Sequence, residues 1–491
     1  MKLRIFNKLK YNYSYLAVIG FAILYIFFLS NNPTSDSYSY AYSSLHGEEL
    51  LRPHHLLYCW ISRLFFQLFA FTHLEPMTLF QLFNAIMAAS TLLVFRRIIK
   101  IINRSESFIF SAILFCGACF GFMRFATDNE AYILPLFFSM LSIYYLQVFL
   151  AENTISHLLK MSLSIVVACL CHQLSILVYL CLFIGLILNK RGKYILYFIL
   201  VSLIIPIVYS VCCFAVTNQL TLSGLFSFVL HDYVQGYAQS PELKQVLLLS
   251  VINLIRTFLQ VHGNLFVLID YFFVLFIFFF VLIFSFFVLG IVNFVKNKKH
   301  TLSLYNEKRF VVILWLIFVL SFLFAAFSNG NAEFMIMIPF ILIMLYSHYF
   351  ANHKAILFIG LALLLWNTCF ALIPQKFCKL SCNEEIVEQM KINPDATFVL
   401  IDKPAAENLY LYKYSKENLP KIIYAHKYNQ EEIKAKKIIT DIIGAESPLS
   451  RSSLLNTCEL DFKEYEKDSL ILKFESLGLK RELHLLQFRL K

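Results

Sequence analysis

The stretch Asn31–Trp60, NNPTSDSYSYAYSSLHGEELLRPHHLLYCW, follows directly after the first long apolar segment of the chain. It concentrates groups that transfer protons or bind anions, namely Asp36, His46, Glu48, Glu49, Arg52, His54 and His55. The aromatic residues between them are Tyr38, Tyr40, Tyr42 and Tyr58. Only 15% of the chain is charged, and ionisable groups beside a bilayer tend to mark functional sites. The stretch therefore indicates an active site at a membrane surface.

The composition of the whole chain predicts a polytopic α-helical membrane protein. Its 491 residues are 59% apolar and 17% aromatic, with a mean hydropathy of +0.68, whereas soluble domains are about 45–50% apolar. Only a helix satisfies its own backbone groups in lipid. Runs of roughly 20 apolar residues predict about eleven transmembrane helices, near 13–30, 77–99, 106–123, 131–150, 157–171, 173–189, 194–216, 265–294, 309–327, 333–350 and 354–373.

The cations predict the orientation in the cell (cytoplasmic) membrane. Short cytoplasmic loops carry the excess of Lys and Arg, and the N-terminal segment, the cluster 96–104 and the cluster 296–309 belong to one alternate set of loops. The N-terminus is therefore predicted to be cytoplasmic and the C-terminal region extracytoplasmic. Carboxylates gather on the opposite, outer side, where we expect any chemistry. The net charge of +11 comes from these loops and does not indicate a nucleic-acid partner.

A change in composition predicts two domains. From residue 375 onwards, Lys and Glu become common and apolar runs shorten. We expect a transmembrane domain over 1–374, with outer loops at 31–76 and 216–264, and a small soluble α/β domain over 375–491, which is long enough to hold its own core. In the second domain, the predicted elements are strands at Thr397–Ile401 and Leu470–Phe474 and a helix at Gln430–Gly444.

Asp36 is the first candidate catalytic residue. A carboxylate flanked by hydroxyls and aromatic rings, including that of Tyr38, can take a proton from an attacking hydroxyl group. The alternative is that Thr34-Ser35-Asp36 only caps a short helix.

Arg52, His54 and His55 are candidate donors to a phosphate. Arginine offers a planar, permanently charged fork, and histidine adds a titratable donor. A solvated loop with interfacial histidines is the alternative. A divalent metal is not favoured, because adjacent histidines need further ligands, and we predict no metal and no other cofactor.

Five further candidates lie at other predicted outer positions. Arg124 is suited to a lipid phosphate, and Asp128 or Glu130 to a sugar hydroxyl. The alternative is an internal salt bridge at a helix end, and the two interpretations are compatible. His172 and Glu333 each follow or precede an apolar span, where ionisable groups are costly. A satisfied interfacial histidine and a carboxylate at a helix N-terminus are the alternatives.

These features together resemble the polyprenyl-phosphate-dependent membrane glycosyltransferases of the GT-C fold. The shared layout is a first span, an outer loop with an early Asp and an Arg-Pro-His-His element, a short apolar helix at Ile61–Thr72, and a hairpin that ends in another acidic loop. The layout covers roughly 1–374. Residue matches lie in Thr34–Tyr58, Arg124–Tyr132 and Asn329–Pro339.

The resemblance implies transfer of a sugar, with inversion, from a polyprenyl-phosphate carrier to a hydroxyl of a glycan, lipid or protein acceptor. The early Asp of the family maps to Asp36, as base or acceptor-orienting group. The groups implied to hold the carrier phosphate are Arg52, His54, His55 and Arg124. The groups expected at the acceptor or sugar are Tyr38, Asp128, Glu130, His172 and Glu333.

The sequence departs from parts of the family. Many mannosyl- and aminoarabinose-transferring relatives carry Asp-Glu where this chain has Asp36-Ser37. The Trp-Trp-Asp element of oligosaccharyltransferases is also absent from the sequence.

Two other functions remain open on the sequence. A lipid-linked glycan flippase or transporter is also polytopic, but it should place charged groups near mid-bilayer, and the predicted spans are largely free of them. An envelope polysaccharide polymerase or ligase would use a large late outer loop. The loop 216–264 is large enough, although Lys244 and Arg256 are its only Lys or Arg residues.

Overall fold

The computed structural model describes residues 12–103, 105–188, 192–234, 243–260, 273–296, 308–328, 330–350, 352–381, 383–400, 404–424, 437–443, 465–476 and 479–490. The chain forms two compact units. Unit 1 consists of Met1–Leu29 and Glu49–Leu372, and unit 2 of Ser30–Glu48 and Ile373–Lys491.

The helices and strands are as follows, in chain order. The helices are α1 Ser14–Phe27, α2 Ser35–His46, α3 Tyr58–Phe69, α4 Pro76–Ile102, α5 Glu106–Gly117, α6 Phe120–Ala126, α7 Ile133–Glu152, α8 Ile155–Cys171, α9 Ile176–Leu188, α10 Gly192–Ser202, α11 Ile204–Thr217, α12 Leu222–Val229, α13 His231–Val234, α14 Leu243–Phe258, α15 Phe273–Lys296, α16 Lys308–Phe327, α17 Ile338–Tyr349, α18 His353–Asn367, α19 Ile373–Phe377, α20 Asn383–Ile392 and α21 Ala405–Tyr414. Short 3₁₀ turns lie at Ala70–Thr72, Gln173–Ser175 and Ala332–Met335, and a π-helical turn lies at Thr368–Leu372. The strands are β1 Thr397–Leu400, β2 Lys421–Tyr424, β3 Lys437–Ile443, β4 Tyr465–Ser476 and β5 Leu479–Leu490.

The protein is a multi-pass membrane protein. Within the described ranges, 7 helices are long and apolar enough to cross a bilayer, or 8 if the bent pair α5 and α6 is counted as one span. Each of the other predicted spans lies on a shorter apolar helix: α1, α8 or the segment Gln173–Leu188. The total of about eleven spans stays a prediction. Helix α15 turns most of its apolar side chains outward, as a lipid-facing helix does.

The predicted span 106–123 is broken in the structure. Helices α5 and α6 meet at an angle of 71°. Two buried side chains donate hydrogen bonds to backbone carbonyl groups at the break. The hydroxyl of Tyr25 donates to the Gly117 oxygen at 2.7 Å. The side-chain amide of Asn367 donates to the Ala118 oxygen at 2.7 Å. A helix can break inside a membrane protein when neighbouring groups satisfy the freed backbone in this way.

A buried ion pair joins α1, α4 and α5 at the end predicted to be cytoplasmic. Arg96, which is 3% exposed, lies 3.1 Å from Glu106 and donates to the Ser14 hydroxyl at 2.7 Å. The same hydroxyl donates to Glu106 at 2.6 Å. Each charge thus has several partners, as a buried ion pair requires.

The short apolar helix predicted at Ile61–Thr72 is confirmed as α3 and the 3₁₀ turn that follows it. Trp60, Leu64 and Leu68 are exposed on one side, whereas Tyr58 and Cys59 are buried. Twelve residues span only about 18 Å as a helix, which is too short to cross a bilayer.

Unit 2 contains a five-stranded sheet in the order β2-β1-β3-β5-β4. Strand β1 is parallel to both of its neighbours, and β5 is antiparallel to β3 and β4. Helix α21 packs against α20 and also against α2. The segment around Asp36 therefore belongs to the unit that contains the C-terminal residues.

Both predicted strands are found, as β1 and within β4. The predicted helix at Gln430–Gly444 is wrong where the structure describes it, because Lys437–Ile443 is strand β3. Its sequence, KIITDII, is rich in β-branched residues, which favour strands, and it pairs with both β1 and β5. Residues 430–436 and 444 lie outside the described ranges.

The turn before Glu333 depends on a glycine. Gly330 has φ +68°, and a Cβ atom added there would lie 2.7 Å from backbone atoms of Leu249 and Ser250 in α14. We expect Gly330→Ala to destabilise the protein by about 2 kcal/mol or more, because a positive φ and a backbone clash both oppose the new methyl group. The measurement is the thermal unfolding midpoint in detergent.

Gly20→Ala is the matched control for this prediction, because an added Cβ atom meets nothing within 4 Å there. An equal midpoint for the Gly330→Ala variant and the wild type would contradict the described packing of α14 against this turn.

Candidate active site

The predicted Arg-Pro-His-His loop is held by Gln173 in unit 1. The Gln173 side-chain amide donates to the backbone oxygen of Pro53 at 3.0 Å and to that of Val229 at 2.9 Å. Its side-chain oxygen lies 3.0 Å from Nδ1 of His54. One side chain thus connects the loop to the 172–175 turn and to the end of α12.

This arrangement brings histidines from three segments together. The ring centroids of His55 and His172 are 4.6 Å apart, and those of His54 and His231 are 6.3 Å apart. Burial lowers the pKa of His172 to about 3. Burial, with His172 as the next cause, lowers the pKa of His55 well below its usual value. At neutral pH, both rings are therefore neutral hydrogen-bonding groups rather than cations.

The tautomer of His172 follows from its neighbours. Its Nδ1 accepts a hydrogen bond from the backbone N–H of Leu174 at 3.0 Å. In a neutral imidazole, the other nitrogen then carries the proton. Nε2 of His172 is therefore a donor, in a residue that is 6% exposed.

The second predicted acidic loop, Arg124–Tyr132, is built around a buried carboxylate. Asp128 is fully buried, lies 3.0 Å from the guanidinium of Arg124 and accepts the backbone N–H of Asn129 at 2.9 Å. This is the internal salt bridge that the sequence also allowed. Arg124 retains 14% exposure of its side chain, so Asp128 orients a cation that is still partly accessible.

A buried amide of α4 fixes this loop. The side-chain nitrogen of Asn84 donates to the backbone oxygens of Asp128 at 2.7 Å and Glu130 at 2.8 Å. The hydroxyl of Tyr58 donates to the side-chain oxygen of Asn129 at 2.8 Å. Glu130 itself is 2% exposed.

Glu333 connects this loop to a second arginine. The hydroxyl of Tyr132 donates to the Glu333 carboxylate at 2.7 Å, and the backbone N–H of Glu333 donates to Asn331 at 3.0 Å. Glu333 attracts Arg256, which lies on α14, and Arg124 repels it. Two arginines and one carboxylate therefore lie within electrostatic range of each other in unit 1.

Arg52, the other arginine predicted to donate hydrogen bonds to a phosphate, forms an ion pair with a residue close by in the sequence. It lies 3.4 Å from Glu49, whose side chain is 60% exposed. The side chain of Arg52 is 23% exposed, and a half-exposed pair of this kind contributes little stability.

Asp36 and Tyr38 lie in unit 2, on α2. Thr34 is the N-cap, and its hydroxyl accepts the backbone N–H of Ser37 at 3.1 Å. Asp36 is exposed in the first turn. The alternative offered by the sequence, that Thr34-Ser35-Asp36 caps a short helix, is confirmed, with Thr34 as the N-cap and Asp36 in the first turn.

Contacts with the C-terminal part of unit 2 hold this helix. The side-chain amide of Asn408 donates to the backbone oxygen of Ser35 at 3.1 Å. At the other end, Lys416 lies 2.7 Å from Glu48, and this bond is the first cause that lowers the pKa of Glu48. The ring of Tyr38 lies 6.2 Å from that of Tyr412.

Among the described residues, no three His, Cys, Asp or Glu side chains are arranged to hold a metal ion. The histidines at positions 54, 55, 172 and 231 are grouped by ring packing and not around a common point.

Sequence reasoning did not select Arg256, Gln173 or Asn84. Arg256 carried a signal, as one of the few cations in the predicted outer loops. Asn84 also carried one, as an amide inside an apolar span. Nothing in the sequence indicated which carbonyl groups these amides would meet.

The fold is similar to those of several solved structures. ArnT from Cupriavidus metallidurans bound to undecaprenyl phosphate matches with a TM-score of 0.54 and 10% identity, over 96% of this chain and 97% of that chain. ArnT in the apo state matches with a TM-score of 0.51 and 9% identity, over the same 96% and 97%. The Archaeoglobus fulgidus oligosaccharyltransferase in complex with Zn and sulfate matches with a TM-score of 0.50 and 11% identity, over 95% of this chain and 72% of that chain.

The chain has the GT-C fold. The resemblance drawn from the sequence is thus confirmed for the fold. No protein-family model matches the sequence, and no curated protein matches it. The GT-C likeness therefore depends on structure, at identities of 9–11%.

The neutral histidines predict a loss of stability in acid. Above about pH 6.5, the rings are neutral in both the folded and unfolded states. As the pH falls below that value, only the unfolded state binds protons readily, so we expect the unfolding midpoint to decrease from pH 7 to pH 5. Each ring contributes at most about 2 kcal/mol to this loss at pH 5. The measurement is the unfolding midpoint in detergent as a function of pH.

The variant His55→Gln/His172→Gln should show a smaller decrease between pH 7 and pH 5. His73→Asn, at an exposed histidine, is the control and should keep the wild-type decrease. An unchanged pH dependence in the double variant would show that these two rings are not the groups responsible.

Proposed function

We propose that the protein is an inverting glycosyltransferase that transfers a sugar from a polyprenyl-phosphate carrier to an acceptor hydroxyl at the extracytoplasmic face of the membrane. The observation that carries the proposal is the group formed by Arg124, Arg256 and Glu333 in a chain with the GT-C fold. Arg124 stays partly accessible beside Asp128, and a phosphate is an anion that the arginine fork fits.

The arginines would act on the leaving group. Negative charge develops on the carrier phosphate as its bond to the sugar breaks, and fixed cations in a site with little water stabilise that charge. The Asp128 carboxylate holds Arg124 in one orientation, so this cation need not reorganise during the reaction. Arg52, His54 and the neutral imidazole of His55 supply further donors to the same phosphate.

The transfer itself is a single displacement. The acceptor oxygen attacks the anomeric carbon of the sugar and forms the new C–O bond, while the bond between that carbon and the phosphate oxygen breaks. The electron pair of the broken bond leaves with the polyprenyl phosphate. The acceptor proton passes to the carboxylate of Asp36, which returns it to water, and the configuration at the anomeric carbon inverts.

The role of Asp36 follows from its chemistry and its exposure. Because Thr34 caps helix α2, the carboxylate of Asp36 is not needed for that purpose. Its place in a helix held by Asn408 gives it a defined position in unit 2. Tyr38, on the same helix, is assigned to the acceptor. The acceptor is a glycan, lipid or protein that carries a hydroxyl group.

We expect Asp36→Asn to insert and fold normally but to lower sugar transfer by about 100-fold or more, because the amide cannot accept the proton. The measurement is transfer by the purified protein in nanodiscs, with folding followed by its unfolding midpoint. Asp395→Asn, at another exposed carboxylate of unit 2, is the matched control. Transfer by Asp36→Asn at nearly the wild-type rate would exclude Asp36 as the base.

We expect Arg256→Gln to lower kcat/KM for the carrier by about 10- to 100-fold, the usual loss when a charge-assisted hydrogen bond to a substrate is removed. Arg256→Lys should recover part of the activity, because the positive charge remains. The measurement is steady-state transfer at varied carrier concentration.

Arg97→Gln removes an exposed cation from the end of α4 predicted to be cytoplasmic, and it should leave kcat/KM unchanged. Equal kinetic constants for Arg256→Gln and Arg97→Gln would remove Arg256 from the site.

A further inference from the structure

A cleft opens in unit 1 beside the proposed phosphate-binding group. Its walls come from α7, the 172–175 turn, α9, α16 and the segment 334–337. Most of the lining is apolar, as at Val178 and Met337, with the rings of Tyr132 and Phe334 at one side. This mixture of apolar and aromatic walls with few polar groups is typical of a small-molecule site.

The polar groups of the cleft are uncharged. They are the hydroxyls of Tyr132, Ser139, Ser175 and Ser321 and the imidazole of His172. Among the described residues that line the cleft, none is Asp, Glu, Lys or Arg. A ligand with an ammonium or carboxylate group would lose its water here without meeting an opposite charge in the lining, which is costly.

His172 distinguishes a sugar from a lipid chain as the occupant. Its Nε2 is buried and has no hydrogen-bond partner among the residues that the structure describes, and Nδ1 already accepts from Leu174. A buried donor without an acceptor is destabilising. A sugar hydroxyl can accept this N–H group, whereas an isoprenoid or acyl chain cannot.

The cleft adjoins the group proposed to hold the phosphate. Tyr132 lines the cleft and donates its hydroxyl hydrogen to Glu333 at 2.7 Å, and Glu333 attracts Arg256. The sugar of a carrier is joined directly to the phosphate. A phosphate at the arginines therefore brings the sugar next to Tyr132 and His172.

We propose that this cleft binds the sugar of the carrier and selects an uncharged sugar, a hexose or deoxyhexose, over amino sugars and uronic acids. This inference rests on the proposed function. The aromatic rings would cover the apolar C–H face of the sugar, and His172 with the serines would bind its hydroxyl groups.

The test is a binding series with the full-length protein in nanodiscs, followed by native mass spectrometry. The probes are undecaprenyl phosphate alone and undecaprenyl phosphate linked to glucose, to a 6-deoxyhexose, to glucosamine or to glucuronic acid. We expect the two neutral conjugates to bind at least about 10-fold more tightly than the two charged ones, because burial of an unpaired charge is unfavourable. Equal binding of neutral and charged conjugates would overturn the inference.

Two variants locate the sugar. Val178→Phe fills the cleft, and His172→Asn keeps an acceptor for the N–H of Leu174 while removing the Nε2 donor. Val178→Phe should reduce binding of the neutral conjugates to that of undecaprenyl phosphate alone. His172→Asn should weaken their binding by about 5- to 10-fold, the usual effect of one neutral hydrogen bond. Val211→Phe, on an exposed face of α11, is the control and should change the binding of neither neutral conjugate.

The outcomes separate this inference from the proposed function. If undecaprenyl phosphate itself fails to bind to folded protein, the proposed function is wrong and the inference falls with it. If undecaprenyl phosphate binds but Val178→Phe weakens it as much as it weakens the conjugates, the cleft holds the lipid chain and only the inference is overturned. If Val178→Phe fails to fold, the His172→Asn result decides.

Discussion

The buried amide of Asn84 is the contact on which the candidate site depends. It lies inside α4, in apolar surroundings, and its two donor hydrogens reach the backbone oxygens of Asp128 and Glu130. An unpaired amide there would be costly, so the loop after α6 is held in one position. That position brings Asp128 against Arg124 and Tyr132 against Glu333. The charged groups of the site are thus arranged by a neutral hydrogen bond within the helical core.

The chemistry assigned to the protein is divided between two units of the chain. The arginines and the neutral histidines lie in unit 1, where Asn84 and Gln173 hold the loops that carry most of them. Asp36 lies in unit 2, on a helix that Asn408 and Lys416 hold. Stabilisation of a leaving phosphate and activation of an acceptor are different tasks, and each unit has its own hydrogen bonds to orient the residues proposed for it.

The sequence allowed the membrane architecture and the GT-C layout to be predicted, because long apolar runs, loop cations and the early Asp and Arg-Pro-His-His elements are local patterns. The break between α5 and α6 was not predicted, because it depends on hydroxyl and amide groups from α1 and α18. Strand β3 was mistaken for a helix although its β-branched residues favour a strand. Arg256 was not selected because its partners, Arg124 and Glu333, are far away in the sequence and meet only in the folded chain.

The position of the carrier phosphate is the central claim, and photo-crosslinking can measure it directly. The probe is undecaprenyl phosphate with a photoreactive diazirine in the isoprene unit next to the phosphate, bound to the purified protein in nanodiscs and mapped by peptide mass spectrometry. We predict labelling of peptides around Arg124 and Arg256. Excess undecaprenyl phosphate should suppress this labelling, and an uncharged polyprenol should not. Suppressible labelling confined to peptides remote from both arginines, or none in folded protein, would contradict this prediction.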